Sequence, residues 1–82
     1  MTDQEVLARW STRRDEWRGE WWTVRSIPGA SAAKAYRCPG CAQLIPAGTP
    51  HLVTWPETDL DAGDRRHWHT ACWAARDRRA AR

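Results

Sequence analysis

The chain has 82 residues and a formal net charge of +3, from 13 basic and 10 acidic residues, with seven Trp, one Tyr and no Phe. A domain this short buries only about 60% of its unfolded surface, so apolar packing alone leaves it marginal and a staple is expected. No apolar stretch approaches the roughly 20 residues of a membrane span, and MTDQEVLARW lacks the basic start and apolar run of a secretory leader.

Thr2-Asp3-Gln4-Glu5 has the form of a capping box ahead of apolar periodicity. Val6, Trp10, Trp17, Trp21 and Val24 then fall within an arc of roughly 60° at 3.6 residues per turn. This predicts a Trp-rich amphipathic helix over about 3–25, the first unit of the chain (1–25). Trp22 points away from that stripe, either wedged into a second contact or exposed for a partner. Ile27-Pro28-Gly29 stops the helix, and the small residues of 26–35 are predicted to be a linker to a 36–82 domain. HLVTW at 51–55 is a strand candidate, and the acids and turn residues of 55–64 predict a solvated loop. From His69 the Ala- and Arg-rich run favours a C-terminal helix.

Three cysteines are too many for one disulfide and too few for two, and closely spaced thiols in a reducing compartment more often bind metal. A cytoplasmic protein is expected, in bacterial cytosol or nucleoid. Cys38-Pro-Gly-Cys41 has the two-residue gap of a zinc knuckle. His69-Thr-Ala-Cys72 has the same gap, and on the first turn of a helix positions i and i+3 share a face. The two pairs supply four ligands, Cys38, Cys41, His69 and Cys72, for one structural Zn2+. His69 shares the turn of Cys72 and is preferred on that ground, with His67 or His51 as substitutes. A thioredoxin-like redox reading of Cys38-Pro-Gly-Cys41 fails for want of a βαβ pattern around it.

On these residues the chain resembles the poly(ADP-ribose) polymerase-type zinc fingers and, more loosely, LIM and other treble-clef modules. The resemblance covers roughly residues 36–75: Cys38-x2-Cys41, Ile45-x2-Gly48, a gap of 27 residues to His69, then Trp68-His69-x2-Cys72-Trp73. It implies a short antiparallel sheet between the ligand pairs and recognition of DNA breaks by apolar stacking with Arg–phosphate pairing. The string is also similar to small zinc-binding proteins of uncharacterised role in high-GC bacteria. The expected fold is thus a small α+β zinc-stapled domain: N-terminal helix, knuckle, short antiparallel sheet and C-terminal helix.

Two functions follow as expectations. The first is a non-catalytic zinc module that binds nucleic acid through Arg65, Arg66, Arg78, Arg79 and Arg82, guanidinium groups suited to phosphate contact. The second is a protein-interaction adaptor, or a homodimer, that docks through Trp22 or the Trp stripe, since Trp and Arg are enriched in interface hot spots. Catalysis is not expected. A catalytic zinc keeps one position open, whereas four ligands are already at hand, and the chain has no Asn for a His-Asn-His nuclease.

Overall fold

The computed structural model describes residues 12–61 and 63–78. Where a long helix was predicted, the described residues form a β-hairpin. β1 (Thr12–Trp17) and β2 (Glu20–Ile27) pair antiparallel, with Thr12 opposite Arg25 and Trp17 opposite Glu20. Between them Arg18 and Gly19 both take positive φ, 54° and 78°, as a two-residue type I′ turn requires. β2 is rich in Trp and β-branched residues, which suit a pleated surface. The helix-like spacing of Trp17, Trp21 and Val24 is overridden by the period of two: Trp22 and Val24 turn inward, 8% and 1% exposed, while Trp21 is 45% exposed. A helix would have sent Trp21 in and Trp22 out. The capping box, Val6 and Trp10 lie outside the described residues.

β5 (His51–Pro56) occupies the place predicted for a strand and pairs antiparallel with β2, Ile27 opposite His51 and Trp22 opposite Pro56. β6 (Arg66–Trp68) pairs with β5, Leu52 opposite Trp68. The sheet order is β1-β2-β5-β6. The hairpin therefore belongs to the same sheet as the Cys-bearing half of the chain. The stretch 26–35, predicted to be a linker, holds the end of β2 and a short 3-10 turn, Gly29–Ser31. A separate ribbon, β3 (Tyr36–Arg37) with β4 (Leu44–Ile45), carries the CPGC turn.

The C-terminal helix is also shorter than predicted. α1 spans Thr70–Ala74, and turns follow as far as Arg78. Five residues are too few to stand on propensity; α1 is held by burial of Cys72 and Trp73. Arg76 closes its end, donating to the carbonyls of Trp73 (3.1 Å) and Glu16 (3.0 Å). The described residues are thus mainly antiparallel β with one short helix, in place of the two-helix α+β domain expected. Among the described residues no helix is long and apolar enough to cross a membrane.

One face of the sheet builds the core: Trp17, Trp22, Val24, Leu52 and Trp68 pack with Ile45, Cys38, Cys72 and Trp73. Trp17 is the hub, its ring 5.4 Å from Trp22, 5.5 Å from Trp73 and 5.8 Å from Trp68, all tilted or edge-on. Such pairs contribute about 0.5–1.5 kcal/mol each beyond area burial. Two of the indoles find the acceptors that burial demands: Trp22 donates to the Trp17 carbonyl at 3.2 Å and Trp73 to the Asp15 carboxylate at 2.7 Å.

Candidate metal centre

The CPGC turn is set by the backbone. Cys38 N–H bonds the Gln43 carbonyl (2.9 Å), and Ala42 N–H returns to the Cys38 carbonyl (2.8 Å). Gly40 is required for closeness: a Cβ there would lie 2.9 Å from the Trp68 ring and 3.1 Å from the Cys72 Cβ. The knuckle is therefore pressed directly onto β6 and α1, which bring the second ligand pair. β6 turns Trp68 into the core and ends at His69, which caps α1; Trp73 N–H bonds the His69 carbonyl at 3.0 Å. Cys72 follows one turn later on the same face.

The ligand atoms of Cys38, Cys41, His69 and Cys72 all lie within 4.8 Å of one another, and the four could hold one metal ion. His69 Nδ1 is 3.4 Å from the Cys41 sulfur and 3.8 Å from that of Cys72. These distances straddle the ~3.6 Å nitrogen–sulfur edge that metal–S near 2.3 Å and metal–N near 2.0–2.1 Å give at tetrahedral angles. The donor set and the spacing both fit a closed four-coordinate site. Cys38 and Cys72 are buried, while Cys41 and His69 are half-buried. Burial by itself would raise the Cys38 thiol, but backbone N–H groups of His69, Cys41 and Gly40 and the His69 side chain outweigh it, bringing it down to about 7. The His69 N–H lies 3.4 Å from that sulfur. Hydrogen bonds to the thiolate thus favour the ligating form before any cation arrives.

The other two histidines are occupied elsewhere. Alternation along β6 places His67 on the sheet face opposite Trp68, where its Nδ1 lies 2.8 Å from His51 Nε2 and its ring stacks on Tyr36 at 3.4 Å. Burial first, then the charges of His51 and Arg65, push its pKa down to about 4.

The predicted arginine cluster is not brought together. Arg65 lies over the Trp55 ring at 4.9 Å, whereas Arg66, on the neighbouring position of the strand, faces the other way and pairs with Asp64 at 3.6 Å. Arg78 follows the helix end and is exposed, and Arg79 and Arg82 lie outside the described residues. Trp22, the candidate docking residue, sits in the core with little surface to offer. Two arginines not singled out in the sequence join Arg65 on its face: Arg14 lies over Trp21 at 4.5 Å and Arg25 near Trp55 at 5.9 Å. Their signal was strand alternation, Trp21-x-Thr23-x-Arg25, visible only once Arg18-Gly19 is read as a turn.

Comparison with known proteins places these features in a family. The chain is 54% identical over 72 residues to "Uncharacterized protein Rv1322" of Mycobacterium tuberculosis (strain ATCC 25618 / H37Rv), a match covering 82% of this chain and 72% of the relative. "Uncharacterized protein Mb1356" of Mycobacterium bovis (strain ATCC BAA-935 / AF2122/97) matches to the same extent. No solved structure matches significantly. The likeness to poly(ADP-ribose) polymerase-type fingers gains no support from these matches. The profile of the Rv1322 family protein matches residues 13–74, which span both strands of the hairpin and all four Cys/His residues; the chain belongs to the Rv1322 family.

Proposed function

We propose that this protein is a non-catalytic module, stapled by one structural Zn2+, that binds single-stranded nucleic acid on the open face of its sheet. Three sulfurs and one imidazole nitrogen at tetrahedral spacing favour zinc among the common divalent ions, since soft thiolates select against the hard cations. Four ligands leave no open position for a substrate, so the ion supports the fold.

The observation that carries the binding reading is the interleaving of guanidinium and indole on one face. Register puts Arg14, Trp21, Arg25 and Trp55 on the side of the sheet away from the metal, and Arg65 reaches over the Trp55 ring from just before β6. Base stacking on such rings contributes about 1–3 kcal/mol per base, and guanidinium planes stack in the same way while meeting phosphate. A duplex hides its bases, so this surface suits an unpaired strand. Glu57 pairs with Arg14, with an Nη2–Oε1 distance of 3.1 Å, and holds that guanidinium in place; Arg25 and Arg65, in no ion pair among the described residues, supply the remaining positive charge against Glu16 on the same face.

The test is fluorescence anisotropy of a labelled single-stranded oligonucleotide with the zinc-loaded protein at about 50 and about 200 mM salt. Phosphate contacts from Arg25 and Arg65, with Arg14 held by Glu57, predict a log–log slope of about −1.4, at about −0.7 per neutralised phosphate. Trp55→Ala is expected to weaken binding by roughly 1–3 kcal/mol. Absence of binding at the lower salt removes this reading, and an unchanged affinity in Trp55→Ala removes the surface.

A further inference from the structure

On the same face as Trp55, four residues back along β5 at His51, the sheet is roofed by the loop that follows β2. There a cavity opens, of about 240 Å3, lined among others by Ser31, Lys34, Tyr36, His51 and His67. We propose that it binds an aminated heteroaromatic ring carrying a phosphate, that is, a single nucleotide unit.

The argument begins with hydrogen-bond directions. His51 is 2% exposed, and its Nδ1 lies 2.8 Å from the Thr49 carbonyl. A carbonyl only accepts, so His51 Nδ1 carries the hydrogen and Nε2 of the neutral ring presents a lone pair. His67 Nδ1, 2.8 Å away, therefore donates to it. That leaves His67 Nε2 as an acceptor, with no hydrogen-bond partner among the described residues, on a half-buried ring that lines the cavity. The chain Thr49–His51–His67 thus fixes one tautomer and aims one acceptor, while the Tyr36 ring, stacked parallel to His67 within 2°, locks its orientation. A neutral acceptor selects a ligand N–H.

The rest of the lining narrows the class. The volume lies below the roughly 300–1,000 Å3 of drug-sized sites, which suits a base and excludes a larger cofactor. Ile27 and Ala32 give an apolar wall, and Lys34, the sole lysine of the chain, gives a cation at the rim for phosphate. The ligand could come free or as one unit of a strand lying along the Arg/Trp face. The two sources share this chemistry.

Adenosine 5′-monophosphate, added to zinc-loaded protein and followed by two-dimensional NMR, tests the site independently of any oligonucleotide. Saturable shifts at Tyr36, His67 and Lys34 are expected. The N6,N6-dimethyl analogue, which lacks the donor, should bind roughly tenfold more weakly. Lys34→Ala lies at the surface and leaves the core intact; it should weaken the nucleotide while leaving adenosine unchanged. His67→Phe keeps the stack on Tyr36 and should abolish the preference for the unmethylated base. Absence of saturation at millimolar nucleotide, equal binding of the dimethyl analogue, or shifts confined to Trp21 and Trp55 would each overturn the proposal. Competition by an oligonucleotide identifies the strand as the source. Saturation by the nucleotide in a protein that binds no oligonucleotide identifies a free ligand and leaves this site standing while the strand-binding reading falls.

Discussion

Asp15 joins the first strand to the last helix through one carboxylate. It accepts from the Trp73 indole at 2.7 Å and from Arg13 Nε at 3.2 Å. Desolvation pushes its pKa up, but the bonds from Trp73 and Arg13, with the charges of Arg13 and Arg76, outweigh it and leave the carboxyl below its ordinary value. A depressed folded value means that the contribution is complete above the unfolded value, about 3.9, and is lost as pH falls through the folded one. Asp15→Ala leaves the Trp73 N–H unpaired in the core and is expected to cost about 1–3 kcal/mol by urea unfolding at neutral pH. Asp15→Asn retains an acceptor but no charge, so its stability should fall less steeply than wild type below about pH 4. At this scale the cluster of four side chains that could hold a metal was readable and the network was not. Cys38, Cys41, His69 and Cys72 are encoded by two short gaps, and the preference for His69 rested on sharing a helical turn. Asp15 meets Trp73 of the helix 58 residues on, and His51 meets His67 through the pairing of β5 with β6; no local pattern reveals either.

Two glycines show how elements are set by different constraints. Gly19, at φ +78° in the β1–β2 turn, has nothing within 4 Å of where a Cβ would stand, so its cost on substitution is purely conformational. Gly19→Ala should therefore lose roughly 1–2 kcal/mol, measured by thermal unfolding, with metal affinity unchanged. Gly40 has the opposite problem: its Cβ would enter the Trp68 ring and crowd Cys72. Gly40→Ala is expected to lower both stability and metal affinity although it removes no ligand, and competition with a chromogenic chelator reads the second effect. The hairpin escaped the sequence reading because Arg-Gly is a weaker turn signal than Asn-Gly or Asp-Gly. The intervals of Trp17, Trp21 and Val24 fit a helix, and the alternation that buries Trp22 and Val24 begins only after the Arg18-Gly19 turn, so the stripe was read across a turn. The strand at 51–55 was legible because HLVTW has β-branched and aromatic residues bounded by proline on each side.

In the whole molecule, the metal centre and the core are one body. Cys38 and Cys72 pack in the same cluster as Trp17, Trp22, Trp68 and Trp73, so a cation held by these sulfurs could not be lost without disturbing the indoles. Structural zinc contributes on the order of 10 kcal/mol in small fingers, comparable to the total stability of a domain. Elemental analysis should find one zinc per chain. Chelation, or Cys41→Ser, should melt the four-stranded sheet in a single transition by far-ultraviolet circular dichroism; a sheet that survives with no zinc bound would exclude the structural role. The hairpin should melt with the rest, since β2 pairs along its length with β5.

The crowding of indoles has an optical consequence. Four emitters within about one ring-width of each other, beside three sulfurs, will exchange excitation and quench, whereas Trp21 and Trp55 stand apart on the opposite side of the sheet. Loss of the cation should brighten and red-shift the emission as the cluster opens, while a ligand on the outer face dims only the separate pair. The six described tryptophans thus form two distinguishable internal dyes, one on each side of the sheet.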